Sequence, residues 1–325
     1  MIPNFSSLIW PMTEEEFISE HQGRHPVHFP GEPTKYATLI DSDDINRMLS
    51  KTVVGLGTVR IRQPNGRQVA LDEFSVPVDI NRDRRAIRAD VMEGQLKAGA
   101  TLSIEHCESL FPDLHEMCCT LAEAFMARVY ATLFLVYTPE RPCGLHWDDR
   151  DMFVCQVAGR KHWPLYKPPY ENPLLDHRRT SYQTPAYESA QEFTLKPGES
   201  LYIPRGWAHN PAAIEEGSMH VAFAIAMPTG IDLLDWIRAD LSKTSAEIRG
   251  DLPLTLPPSG RSTYANRLRE IVLQHLSDET LENYYQRHRS IVCSRPVRLP
   301  ELEITTGAED RVPADHTSDV FATVV

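Results

Sequence analysis

Residues 144–166 read GLHWDDRDMFVCQVAGRKHWPLY, and residues 197–209 read PGESLYIPRGWAH. Each segment combines short apolar or aromatic runs with glycine and proline, a pattern typical of strands joined by tight turns. Further runs of this kind lie at 130–137 (YATLFLVY) and 220–227 (HVAFAIAM). Short strands at this spacing, with no clear helical pattern between them, predict an antiparallel sandwich or barrel in the middle of the chain.

Helical patterns flank this β-rich centre on both sides. On the N-terminal side, capping residues or apolar side chains three and four positions apart predict helices at residues 13–18, 41–51 and 107–128. On the C-terminal side, the same apolar spacing predicts helices at residues 231–241, 264–276 and 278–289.

Composition excludes several classes of protein. The 325 residues include 33 Lys and Arg against 45 Asp and Glu, a formal net charge of -12, which disfavours a general nucleic-acid binder. No apolar run approaches the ~18 residues of a membrane span, and the N-terminus lacks the basic and apolar segments of a signal peptide. Six cysteines form no C-x-x-C pair, so we expect reduced thiols. Together these observations predict a cytoplasmic protein that contacts neither nucleic acid nor membrane.

A set of three residues suggests a metal site. Residues i and i+2 of a strand project to the same face, so His146 and Asp148 present an imidazole and a carboxylate side by side. One H-x-D motif is weak evidence, but His209 follows a later strand on a Pro/Gly loop. Two histidines and one carboxylate on one face of a barrel form the triad that holds Fe(II) with open positions. We therefore predict that His146, Asp148 and His209 are the metal ligands and the catalytic residues.

Lys161 is the candidate partner of a co-substrate. It begins the strand after the Gly159 turn, which we expect to run antiparallel to the strand at 152–157. An ammonium there can bind the distal carboxylate of 2-oxoglutarate as a compact ion pair. Arg160 is the alternative, although strand alternation points it and His162 to the opposite side.

The two quoted segments resemble the JmjC-type cupin oxygenases, and within them the ribosomal-oxygenase-like branch of protein hydroxylases. The resemblance runs from about Thr13 to Met227 and includes the three ligand positions, the lysine and the P-x-G-W-x-H loop. It implies a mostly β fold with α, in which a double-stranded β-helix core carries N-terminal helices and a C-terminal helical segment. It also implies Fe(II) as the metal and 2-oxoglutarate and O2 as co-substrates, with Lys161 binding the 2-oxoglutarate.

The chain departs from the family pattern at three positions. Thr132 stands where the family often has an asparagine, and we predict it as a second co-substrate-binding residue. Ala222 and Ala224 stand where the last core strand of the family often has threonine and serine. These replacements leave the metal ligands intact and bear on the choice of substrate. His220, on the same strand, is either a pocket-lining residue or a packed core histidine.

The resemblance implies a catalytic domain over residues 1–228, a helical dimerisation segment over 229–290, and an acidic tail or reduced module over 291–325. The expected activity is hydroxylation of an amino-acid side chain in a protein or peptide by a homodimer. One alternative is hydroxylation of a free amino acid or a natural-product intermediate, which the Ala222 and Ala224 replacements favour slightly. Another is a non-catalytic cupin that binds ligand, which the complete set of ligands and Lys161 disfavours.

Overall fold

A computed structural model describes residues 3–50, 53–54, 58–79, 84–139, 144–168, 170–180, 189–214 and 217–292. These residues fall within one compact unit, Met1–Ser294. The acidic tail or module predicted for 291–325 lies outside the described residues from residue 293 onward. Among the described residues, no helix combines the length and the apolar character that crossing a bilayer requires.

The described residues contain fourteen strands, eight of them from β7 onward. In chain order they are β1 (Val27–Phe29), β2 (Val53–Val54), β3 (Val59–Arg62), β4 (Ser75–Pro77), β5 (Arg84–Ile87), β6 (Thr101–Glu105), β7 (Arg128–Val136), β8 (Asp151–Ala158), β9 (Lys161–Tyr166), β10 (Ser189–Leu195), β11 (Ser200–Ile203), β12 (Ala208–His209), β13 (Ala212–Ala213) and β14 (Ser218–Ala226).

The helices lie before β7 and after β14, except for the short α7, which lies between β9 and β10. They are α1 (Phe5–Leu8), α2 (Glu14–Glu16), α3 (Ser42–Leu49), α4 (Leu71–Phe74), α5 (Ala89–Lys97), α6 (Pro112–Phe125), α7 (Leu175–Thr180), α8 (Gly230–Thr244), α9 (Ala246–Arg249), α10 (Pro258–His275) and α11 (Asp278–Val292).

The described strands form two facing antiparallel sheets and a small third one. The large sheet has the order β1-β11-β8-β14-β7-β6-β3, and the small facing sheet has the order β10-β9-β12, with β13 also paired to β9. Strands β2, β5 and β4 form the third sheet. Apolar side chains of β8, β11 and β14 pack against those of β9 and β10 between the two facing sheets. This arrangement confirms the expected β core with helices on both sides of it in the sequence.

The large sheet is buried on both faces around its interior strand β8. Met152 and Val154 point between the sheets, whereas Phe153 and Cys155 point to the larger core, where the N-terminal helices and α6 pack. Seven consecutive residues of β8 are therefore buried, and five of them are apolar, so burial does not alternate along the strand.

The N-terminal helices begin close to where the sequence predicts, but one is shorter. The segment predicted as one helix over 107–128 contains a 3-10 turn at Cys107–Ser109 and then α6. Pro112 lacks an N–H and occupies the first turn of α6, and Met126 closes the helix with a φ of +48°. The capping box at Thr13 is confirmed, since Thr13 and Glu16 exchange hydrogen bonds of 2.8 and 3.2 Å.

The turn at Gly159 does not close a hairpin between β8 and β9. Instead, it carries the chain from the large sheet to the small one, where β9 pairs with β10, β12 and β13. The expectation that β9 runs beside the strand at 152–157 is therefore wrong. The turn is tight because Gly159 has a φ of +65° and lies against the carbonyl of Gly217.

Substitution of Gly159 tests how strictly this turn is constrained. A Cβ at Gly159 would lie 1.9 Å from the Gly217 carbonyl oxygen, whereas a Cβ at Gly217, whose φ is +79°, meets no atom within 4 Å. Gly217→Ala should lower the free energy of unfolding by about 1–2 kcal/mol, the cost of a left-handed alanine. Gly159→Ala should lower it by more than about 3 kcal/mol because the backbone must also move. Urea denaturation compares them, and equal losses would contradict the steric explanation.

Candidate metal centre

Two distant chain segments meet at the predicted ligands. The N–H of His146 donates to the carbonyl of His209 at 3.1 Å, and the N–H of His209 donates to the carbonyl of His146 at 2.7 Å. This isolated antiparallel bridge places His146 beside β12, at the edge of the small sheet. The Asp148 carbonyl accepts from the Gly206 N–H at 2.8 Å, which joins the H-x-D segment to the loop before His209. One ligand atom from each of the three side chains lies within 4.8 Å of the others.

Backbone carbonyls fix the orientation of both imidazole rings. Nδ1 of His146 lies 3.0 Å from the Gly144 carbonyl, and Nδ1 of His209 lies 3.1 Å from the Trp207 carbonyl. Because a carbonyl oxygen only accepts, each Nδ1 carries the hydrogen and each Nε2 keeps its lone pair. The same hydrogen-bonding arrangement therefore prepares both rings to bind a metal through Nε2.

The donor set fits a divalent transition metal. It offers two imidazole nitrogens and one carboxylate, and Nε2 of His209 lies 3.6 Å from an Asp148 oxygen. Three such donors on one side of an ion leave coordination positions free on the other side, the arrangement typical of non-haem Fe(II). His209 is only 3% exposed, whereas His146 and Asp148 are half-buried, so the cluster lies between the interior and the surface.

An inner cavity of about 70 Å³ adjoins the cluster and contains Lys161. All three predicted ligands line it, and Lys161 is 7% exposed. The Lys161 ammonium donates to Nδ1 of His220 at 3.3 Å. Burial, and then the charge of Lys161, hold the pKa of His220 well below its ordinary value, so the imidazole is neutral. His220 is thus a cavity-lining residue, which settles the alternative that its sequence position leaves open.

An outer cavity of about 480 Å³ also adjoins the cluster. His146 and Asp148 line both cavities, whereas Lys161 and His209 line only the inner one. The outer cavity is rich in charged and polar side chains, among them Arg60, Arg62, Gln68, Glu105, Asp149 and Arg150. The cluster therefore forms a wall that a molecule in either cavity can reach.

Thr132 lies apart from Lys161. It lines only the outer cavity, whereas the β7 side chains that line the inner cavity with Lys161 are Phe134, which lines the outer cavity too, and Val136. The ring of Phe134 stacks on His220 with centroids 4.9 Å apart and planes at 6°. Residues two apart on a strand share a face and are separated by about 6.6 Å, so Thr132 lies one such step along β7 from Phe134. The two alanine replacements lie where expected, since Ala222 lines both cavities and Ala224 the outer one.

The sequence analysis missed a buried carboxylate that supports the His209 loop. Asp151 is 4% exposed and accepts from the Tyr202 hydroxyl at 2.5 Å and from the Arg205 N–H at 2.9 Å. Burial raises its pKa above the ordinary value. The signal in the sequence is an acid at the start of an otherwise apolar strand. Because Arg205 begins the turn that leads to His209, Asp151 fixes the position of that turn.

Part of the chain matches a known protein family, and most of it is similar to known proteins. Residues 110–233 match the JmjC domain family. The chain is 27% identical over 283 residues to the bifunctional lysine-specific demethylase and histidyl-hydroxylase NO66 of Drosophila persimilis, covering 84% of this chain and 40% of that protein. It is 28% identical over 267 residues to ribosomal oxygenase 2 of Bos taurus, covering 78% of this chain and 55% of that protein. The chain thus spans about half or less of the length of these relatives.

Solved structures support the same fold. The ribosomal oxygenase YcfD of Escherichia coli, in complex with cobalt and 2-oxoglutarate, superposes with a TM-score of 0.56 at 16% identity, over 86% of this chain and 71% of that one. Residues 110–233 thus carry a match to the JmjC domain, and the fold agrees with it. The chain as a whole is similar to ribosomal oxygenases and to NO66, as the resemblance of its two motif segments predicts.

Metal binding tests the cluster independently of any activity. We expect His146→Ala or His209→Ala to weaken Co(II) binding by more than about 100-fold, because even residues that only orient ligands are worth 10- to 100-fold. Titration calorimetry measures the affinity, and His162→Ala is the matched control. His162 lies on β9 next to Lys161, but its Nε2 faces Glu192 at 3.7 Å, outside both cavities. Unchanged Co(II) affinity in both ligand variants would contradict the site.

Proposed function

We propose that the protein is an Fe(II)- and 2-oxoglutarate-dependent dioxygenase that hydroxylates an amino-acid side chain in a protein or peptide. The single observation that carries this proposal is the inner cavity. It combines the two-histidine, one-carboxylate cluster with a buried ammonium, Lys161. Bound Fe(II) supplies oxidation by O2 coupled to breakdown of 2-oxoglutarate to succinate.

Each group of the site has a distinct role in this proposal. His146, Asp148 and His209 hold the metal from one side, with both rings oriented through Nδ1. Lys161 binds the distal carboxylate of 2-oxoglutarate in the inner cavity. Because the cavity is small and shielded from water, this ion pair is stronger than it would be at the surface. Neutral His220 accepts one hydrogen of the ammonium and holds it in place without competing for the carboxylate.

The outer cavity is the proposed site for the substrate. Its volume of about 480 Å³ and its open, polar lining suit a side chain presented by a longer polypeptide. The names of the relatives, a histidyl-hydroxylase and a ribosomal oxygenase, also support a protein substrate. Thr132, Ala222 and Ala224 line this cavity, so we assign their departures from the family pattern to substrate choice.

Succinate formation tests the proposal. Protein loaded anaerobically with Fe(II) and then exposed to O2 and 2-oxoglutarate should produce succinate, and a peptide substrate should accelerate it. Asp148→Ala should reduce the rate to background, while His162→Ala should retain it. Acceleration by free amino acids and not by peptides would contradict a protein substrate. Failure to bind either Fe(II) or 2-oxoglutarate would contradict the dioxygenase and leave a non-catalytic cupin.

We also propose a cytoplasmic homodimer that associates through the C-terminal helical segment. Ile237 and Leu241 of α8 pack with Ile271 of α10, but this cluster is small. Many apolar side chains of the same segment are exposed: Ile231, Leu234, Leu252, Leu254, Leu256, Leu273, Leu276 and Tyr285. Exposed apolar groups at this density favour burial against a second copy. The division of the chain at residue 228 stays a prediction.

Charged substitutions in this segment test the dimer. Leu234→Glu and Leu273→Glu replace side chains that are 49% and 61% exposed, so neither should unfold the protein. An unpaired carboxylate buried in an interface should weaken dimerisation by about 100-fold or more. Analytical ultracentrifugation measures it, with Val76→Glu on β4, 45% exposed, as the control. A monomeric wild-type protein, or dimers unaffected by both substitutions, would contradict this interface.

A further inference from the structure

The inner cavity contains a hydrogen-bond donor that no described residue satisfies. Trp163 is 2% exposed, and its indole Nε1 is buried without a hydrogen-bond partner. The residue lines the inner cavity together with Lys161 and the metal cluster. Buried indole N–H groups normally find an acceptor, because leaving one unpaired costs free energy. An acceptor placed in the cavity beside the indole would satisfy this donor.

The neighbours of Trp163 restrict what that acceptor is. Trp163 follows Lys161 by two residues on β9, so both side chains lie on the same wall, and Nζ of Lys161 is 5.8 Å from the indole centroid. His220 meets the indole edge to face at 5.4 Å and already accepts from Lys161. An ammonium and an indole N–H are both donors and cannot satisfy each other. A single carboxylate can satisfy both, because each of its two oxygens accepts.

We propose that Trp163 donates its indole N–H to the distal carboxylate of 2-oxoglutarate, beside the ion pair from Lys161. This assignment rests on the proposed function of the site. Trp163 is then a positioning and specificity-determining residue for the co-substrate, and its large ring also forms one wall of the cavity. A 2-oxo acid without a second carboxylate satisfies neither donor. The pair Lys161 and Trp163 thus selects for a dicarboxylate.

Trp163→Phe tests the proposal because it keeps an aromatic wall and removes the N–H. Titration calorimetry on Co(II)-loaded protein measures binding without turnover. A lost hydrogen bond to a charged group should weaken 2-oxoglutarate binding by about 10- to 100-fold. Binding of 2-oxobutyrate, which lacks the distal carboxylate, should stay unchanged, as should Co(II) affinity. Lys161→Ala provides the positive control, and Trp236→Phe, on α8 and outside both cavities, provides the negative one.

A spectroscopic measurement on the wild-type protein keeps the proposal testable if Trp163→Phe does not fold. The chain has five tryptophans, so Zn(II)-loaded protein labelled with ¹⁵N on the indoles gives five side-chain resonances. The Trp163 resonance, assigned directly or by elimination with the other four Trp→Phe variants, should move downfield with 2-oxoglutarate and not with 2-oxobutyrate.

The outcomes separate this inference from the function beneath it. Wild-type protein that binds metal and 2-oxoglutarate, with Trp163→Phe binding both equally well, would overturn the role of Trp163 alone. An indole resonance that responds equally to both oxo acids would do the same. Wild-type protein that binds metal but not 2-oxoglutarate would overturn the proposed function, and the assignment of Trp163 with it.

Discussion

The site depends on the pair of backbone hydrogen bonds between His146 and His209. These bonds join a segment that precedes β8 to a short strand that follows β11. Their geometry holds two imidazole rings 4.4 Å apart, while two further carbonyls turn each Nε2 toward the same space. The positions of the ligands are therefore set by main-chain atoms. Two further hydrogen bonds support this pair: the Asp148 carbonyl accepts from the Gly206 N–H, and Asp151 accepts from the Arg205 N–H.

The two faces of the large sheet serve different purposes. One face packs against the N-terminal helices and α6 around Phe17, Phe125 and Phe153, an aromatic cluster that water does not enter. The other face meets the small sheet only in part, because polar residues replace apolar ones near β9. A rigid apolar core on one side thus supports a partly open interior on the other. The strands of the large sheet are therefore largely apolar on both faces, although one face also borders the inner cavity.

Lys161 and Trp163 are costly for the folded protein on its own. The Lys161 ammonium is 7% exposed, and the Trp163 indole N–H is buried with no hydrogen-bond partner among the described residues. Binding sites accept such costs because the ligand supplies the missing interactions. The same groups then discriminate between ligands, since a molecule without the matching charge leaves them unsatisfied. The proposed binding of a dicarboxylate accounts for both features of the inner cavity.

The sequence by itself determined the chemistry of the site and the class of the fold. His146 and Asp148 are two residues apart, the P-x-G-W-x-H loop presents His209, and Lys161 follows a glycine turn, so residue type and local spacing were enough. Only the tertiary structure decided which side chains share a cavity. It placed Thr132 in the outer cavity and apart from Lys161, it placed β9 in the opposite sheet, and it left the N–H of Trp163 without a partner among the described residues. The reason is physical: alternation fixes the face on which a side chain lies, but the depth along a strand and the pairing of sheets depend on contacts between residues far apart in sequence.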